Sequence, residues 1–257
     1  MRVRLTIVGC SGSFPGPESA ASCYLVEADD DAGRTWRVLL DLGNGALGPL
    51  QRVADLGSLD ALLISHLHPD HFMDACGLYV ARRYDPAGAS AEPLPVFGPG
   101  GVANRLLEAY GADAADGLGD TYTLQEWEDG RSVTIGPLTV TPRRVVHPVE
   151  AYGLRVEHRG RVLAYSGDTD ACPALDELAK DADLLLAEAS FQEDRDDIRG
   201  IHLTGRRAGE AAAAAAARRL VLTHVPVWTD GDVVLAEARD AYDGPVELAR
   251  PLAAYDV

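Results

Sequence analysis

A chain of 257 residues with 47% apolar and 25% charged side chains can bury the core of a large α/β domain. It has no apolar stretch near the ~20 residues of a membrane span, and the run before Gly9 is too short for a secretory signal, so a cytoplasmic protein without a membrane partner is expected. The net charge of −17, with 40 acidic against 23 basic residues and no Lys/Arg cluster longer than a pair, argues against an extended nucleic-acid surface.

In chain order, "RVRLTIVG" alternates like a strand and runs into the glycine-rich loop "GCSGSFPGP", Gly9 to Pro17. "SCYLVEA" and "WRVLLDLG" read as two further strands around the acidic turn "DDDAGR". The apolar run Ala61 to Ser65 suits a buried strand ending at His66, and a helix is expected from Asp70 to Tyr84 with Asp70 as its N-cap. "LPVFGP" is a strand, "GVANRLLEAYG" a helix, and Ala112 to Asp120 a loop. "SVTIGPLTVTPRRVVHP" opens a second series of strands. "YGLRVEHRGRVLAYSGD" reads as a hairpin turning at Arg159-Gly160, which places His158 in a solvated turn. "CPALDELAKDA" is a short helix, "DLLLAEA" a buried strand, Gly205 to Arg219 an alanine-rich helix, and "RLVLTH" a strand delivering His224. Strands and helices alternate in two comparable halves without a linker. The expectation is one domain over residues 1–257, an α/β four-layer αββα sandwich.

The chemistry concentrates in "HLHPDH". His66 and His68 lie two apart in extended chain and project to one side, with Asp70 and His71 where the chain turns into a helix. Three imidazoles and a carboxylate in six residues match the donor preferences of zinc, and manganese or iron tolerate the same set. Four ligands can serve one metal; their crowding suits two better. Cys10, Cys23, Cys76 and Cys172 form no CxxC pair, so neither a disulfide framework nor a cysteine zinc site is indicated.

"HLHPDH" resembles the HxHxDH signature of metallo-β-lactamase fold hydrolases. "VVHPVEAYGL", "YSGDT" and "LVLTH" follow in the order of that family. The resemblance is strongest to the ribonuclease Z branch, which also carries "HLTG"-like residues, here His202 to Gly205. It implies that His66, His68 and His147 hold one divalent metal, that Asp70, His71 and His224 hold a second, and that Asp168 bridges them. It further implies that Asp70 orients the nucleophile, that Asp41 supports the metal loop, and that His202, assisted by Glu188, faces the scissile phosphate. For His202 a plain surface-loop role stays open, as do structural roles for Asp41 and Glu188.

Long-form ribonuclease Z inserts a tRNA-gripping arm between the third histidine motif and the GDT motif. Only 20 residues separate His147 from Asp168 here, enough for the hairpin alone, so no tRNA-binding arm is expected. The first loop, the "AYSGDTDACPALDELAKDADLLLAEAS" segment and "LTHVPVWTDGDVVLAEARDAYDGPV" are similar to actinobacterial atypical class II cyclic-nucleotide phosphodiesterases. That resemblance implies a small phosphodiester substrate, cyclic AMP foremost, and a homodimer. No residue pattern identifies a nucleotide-binding subsite. Ser11 and Ser13 either line a pocket or simply belong to a tight glycine turn.

Overall fold

The computed structural model describes residues 3–86, 92–111 and 118–257. Most of the loop expected at Ala112 to Asp120 thus lies outside the described residues. The first half contains β1 (Val3–Ser11), β2 (Ala20–Ala21), β3 (Cys23–Asp29), β4 (Thr35–Leu40), α1 (Leu47–Leu50), β5 (Ala61–Leu63), α2 (Pro69–Phe72), α3 (Ala75–Tyr84), β6 (Leu94–Gly98), α4 (Val102–Tyr110) and β7 (Tyr122–Glu126). The second contains β8 (Val133–Ile135), β9 (Leu138–Arg144), β10 (Tyr152–His158), β11 (Arg161–Tyr165), α5 (Pro173–Ala179), β12 (Leu184–Glu188), α6 (Gly205–Ala214), β13 (Leu220–Thr223), α7 (Gly231–Ala241) and β14 (Val246–Leu248). β15 (Ala254–Asp256) then returns to the first sheet.

One sheet runs β15-β1-β3-β4-β5-β6-β7 with β2 beside β1; the other runs β14-β13-β12-β11-β10-β9-β8. Period-two alternation sorts each strand's side chains into separate layers. Val38, Leu40 and Leu63 of the first sheet meet Leu154, Leu186 and Val221 of the second in the central core. Leu39 and Leu62 point the other way and pack with Phe72, Leu78 and Leu106 of the first helical layer. Leu185 and Leu222 likewise pack with Leu175, Ala208, Ala212 and Val234 of the second. This is the expected αββα sandwich.

Three local expectations are corrected. The helix expected from Asp70 to Tyr84 is broken. The His71 carbonyl accepts from the Leu42 amide and the Asp74 amide donates to the Leu42 carbonyl, so the chain is tied to the loop after β4 between α2 and α3. His68, not Asp70, occupies the N-cap position, with Pro69 in the first turn. The alanine-rich helix stops at Ala214, because the Ala215 carbonyl accepts from Asp181 and Ala216 turns left-handed at φ 51°. His158 is the last residue of β10 and is buried, its Nδ1 donating to the Pro137 carbonyl at 3.0 Å. It remains apart from the other six histidines.

Candidate metal centre

The site forms where strands of both sheets end at one edge of the sandwich. β4 delivers Asp41, β5 delivers Ser65 and His66, β11 delivers Asp168, and β13 delivers His224. A single bridge between His66 and Ala151 links the two sheets here. Asp41 (φ 58°) and His224 (φ 57°) both adopt the left-handed conformation, which costs free energy for non-glycine residues and marks a constrained site. Gly43 lets the backbone approach: a β-carbon there would lie 1.9 Å from the Asp70 carbonyl oxygen.

Four overlapping donor groups result among the described residues: His66, His68 and His147; Asp70, His71, Asp168 and His224; and two that add His202, with His147 and Asp168 or with Glu188 and His224. The first two share no residue. In the first, His68 Nδ1 lies 3.0 Å from His66 Nε2 and 3.2 Å from His147 Nε2. In the second, His224 Nε2 lies 3.2 Å from His71 Nε2 and 3.0 Å from Asp70 Oδ2. Asp168 stands between the groups, with Oδ1 3.3 Å from His71 Nε2 and Oδ2 3.7 Å from His66 Nε2 and 3.4 Å from His224 Nε2.

Outer hydrogen bonds aim the lone pairs of these rings inward. His71 Nδ1 donates to Asp41 Oδ2 at 2.7 Å, and His147 Nδ1 donates to the Ile201 carbonyl at 2.9 Å. The Ser190 hydroxyl gives its proton to the His224 carbonyl, so at 2.7 Å it accepts from His224 Nδ1. The Ser65 hydroxyl likewise donates to Asp41 Oδ2 and accepts from His66 Nδ1 at 3.1 Å. Asp41 is fully buried and also receives the Ser65 amide and the Tyr165 hydroxyl. It therefore orients His71 directly and His66 through Ser65.

The donor set fits divalent cations. Ligand atoms around a tetrahedral zinc at ~2.0–2.1 Å stand about 3.3 Å from one another, close to the spacing within each group. Burial pushes His66 well below the ordinary imidazole pKa and lowers His68 and His147, which keeps them in the neutral form that ligates. Burial alone would raise Asp70 and Asp168, but the surrounding imidazoles, His224 first, hold both carboxyls far below their usual range. His71 is pushed well up, because Asp168 and Asp41 outweigh its burial. The second group thus calls for positive charge. Asp168 Oδ1 is buried with no hydrogen-bond partner, the mark of an oxygen reserved for another ligand.

His202 lies beside both groups, its ring 5.5 Å from those of His147 and His224. Its Nδ1 is 2.8 Å from Glu188 Oε1, and Glu188, fully buried, also accepts from the amides of Thr169 and Ser190. Burial would lower the His202 pKa, but the adjacent Glu188 carboxylate pushes it up to about 9. Glu188 is therefore tied to His202, and His202 is no free surface residue.

Several participants were not singled out in the sequence. Ser65, Ser190 and Tyr165 act only through contacts that the fold creates. Asp170 receives Arg199 Nε at 2.7 Å, the Gly200 amide at 2.7 Å and Arg207 Nη1 at 3.1 Å. Arg207 Nη1 also donates to the His202 carbonyl at 3.3 Å, which latches the His202 loop to the strand end carrying Asp168. Ser11 donates within its own loop to the Phe14 carbonyl, whereas the Ser13 amide lies 3.3 Å from His224 Nε2. The first loop therefore reaches the site through the Ser13 backbone, while the Ser11 hydroxyl stays within its own loop.

Residues 36–225 match the beta-lactamase superfamily domain, and the chain belongs to that superfamily with the metallo-β-lactamase fold. An uncharacterized protein of Mycobacterium leprae is 45% identical over 99% of this chain and 89% of its own length. The probable metallo-hydrolase YhfI of Bacillus subtilis is 28% identical over 96% of this chain and 97% of its own. Its crystal structure superposes with a TM-score of 0.88 over all of both chains at 26% identity. Ribonuclease Z of Myxococcus xanthus is 30% identical over 96% of this chain and 95% of its own. That alignment runs to 303 positions against a chain of 257, so the ribonuclease carries insertions absent here. In this chain β10 and β11 fill the interval between His147 and Asp168. Among the described residues no helix is long and apolar enough to cross a membrane.

Proposed function

We propose that the protein is a dinuclear-metal phosphodiesterase that hydrolyses 3′,5′-cyclic nucleotides, cyclic AMP foremost, to 5′-monophosphates. The observation that carries this reading is the meeting of two metal-type donor groups at one buried carboxylate, Asp168, with the imidazole of His202, held by Glu188, alongside. His66, His68 and His147 would hold one cation, Asp70, His71 and His224 the other, and Asp168 both. Divalent cations bound there, zinc first and manganese or iron as alternatives, supply Lewis acidity to water and to the phosphate oxygens. Asp70 orients the attacking water through its carboxylate. As the bond from phosphorus to O3′ breaks and the water oxygen bonds to phosphorus, His202 delivers its proton to the leaving O3′. Glu188 holds His202 by Nδ1, which leaves Nε2 as the donor. The products are a free 3′-hydroxyl and a 5′-phosphate.

A small substrate suits a chain of net charge −17, and the resemblance described above favours cyclic nucleotides. Ribonuclease Z-like 3′-end cleavage of RNA is the second reading, supported by the 30% identity to the Myxococcus xanthus enzyme. The test is product analysis after incubating metal-loaded protein with cyclic AMP, with bis(p-nitrophenyl) phosphate as control. Formation of 5′-AMP, lost in Asp168→Ala, is the expected result. Cleavage of the control alone would redirect the assignment to RNA or other diesters. Inertness towards both would favour a metal-binding protein without turnover.

A further inference from the structure

Nine large apolar residues are exposed among those described, and six of them, Phe14, Val146, Val149, Ile198, Val227 and Trp228, lie within four residues of Ser13, His147, His202 or His224. The loops that carry the donor residues thus also carry exposed apolar side chains. Exposed apolar surface of this kind marks a binding face.

Two of the six are aromatic and touch. The rings of Phe14 and Trp228 lie 4.9 Å apart between centroids at a 47° tilt, and 60% of Trp228 is exposed. Both are held in place by their backbones. Phe14 follows Ser13, and the loop is pressed so closely on His224 that a β-carbon on Gly12 would lie 2.3 Å from the His224 carbonyl oxygen. The Trp228 carbonyl accepts from Arg195 Nη1 at 3.2 Å, and the neighbouring Thr229 hydroxyl donates to the Ser190 carbonyl at 3.0 Å. Ser190 is the residue that fixes the His224 ring. The aromatic pair and the donor cluster are therefore built on the same two loops.

We propose that Phe14 and Trp228 form a stacking platform for the planar base of a nucleotide whose phosphate occupies the donor cluster. This rests on the phosphodiester reading of the site and adds the moiety that makes the substrate a nucleotide. A base offers a π-face to an aromatic platform whatever its hydrogen-bonding pattern. An indole already fixed in place loses little freedom when it binds one. The Ser13 amide, next to Phe14, lies 3.3 Å from His224 Nε2, so the loop that carries the pair adjoins the donor cluster, which fits a small ligand that spans both.

The test compares AMP with ribose 5-phosphate, which share a phosphate and a sugar and differ by the base. Calorimetric titration of metal-loaded wild type is expected to show AMP binding at least tenfold tighter. Trp228→Ala and Phe14→Ala should erase that preference and leave ribose 5-phosphate affinity unchanged, while Trp228→Phe retains most of it. Thermal melts of each variant check folding. Equal or undetectable affinity for the two ligands in wild type, or a preference that survives Trp228→Ala, would overturn the platform. A preference carried by Trp228 in a protein that cleaves no cyclic AMP upholds the platform and removes the phosphodiester reading instead. Turnover without any preference removes the platform alone.

Discussion

The two donor groups lie on either side of Asp168 and are built from different materials. His66, His68 and His147 include no carboxylate of their own, and only His66 is fully buried. Asp70, His71, Asp168 and His224 are all buried and bring two carboxylates, with Asp41 directly behind His71. The second group also rests on more rigid support: His71 on a buried aspartate with four hydrogen bonds, His224 on Ser190. If both groups hold cations, charge and burial together favour the second group as the tighter holder.

Asp168→Ala should have the largest effect, since it removes the carboxylate that lies close to residues of both groups. Metal analysis is expected to show a drop from two ions per chain, and turnover should vanish; full metal content in that variant would break the comparison. Asp41→Asn should act chiefly on the second group, through His71, and more weakly on the first, through Ser65 and His66. Loss of such an outer partner lowers metal affinity roughly 10–100-fold, and competition with a chelator should show that loss for one ion and a smaller one for the other. Arg207→Met leaves both groups intact and frees the His202 loop. A roughly tenfold fall in kcat with unchanged metal content is expected, because small displacements of a positioned proton donor are costly, and Arg207→Lys should recover part of it. His158→Gln should change neither metal content nor turnover. It removes one buried hydrogen bond, and a melt should show a loss of about 1 kcal/mol.

What was legible in the sequence follows from the range of the interactions involved. "HLHPDH" is local, so His66, His68, Asp70 and His71 stand out on spacing alone. His147, Asp168 and His224 each follow an apolar strand, and period-two alternation is enough to place those strand ends at one edge. The break between α2 and α3 was not legible, because it depends on Leu42, which reaches His71 and Asp74 only once β4 and β5 are paired. The same holds for the Asp170–Arg207 latch, which joins residues 37 apart in the chain, and for Ser190 beneath His224, 34 apart. His158 was misplaced because a hairpin turn suggests solvent, whereas its ring turns inward to the Pro137 carbonyl. Phe14 and Trp228, 214 positions apart by chain number, carry no shared pattern and meet only because the first loop leans on His224.

The proposed dinuclear centre joined at Asp168 is tested by titrating metal-free protein with zinc while following cyclic AMP hydrolysis. Such a centre should take up two ions per chain, the first entering the Asp70, His71 and His224 group, and turnover should rise only with the second equivalent. Saturation at a single ion per chain, or full turnover after the first, would contradict it.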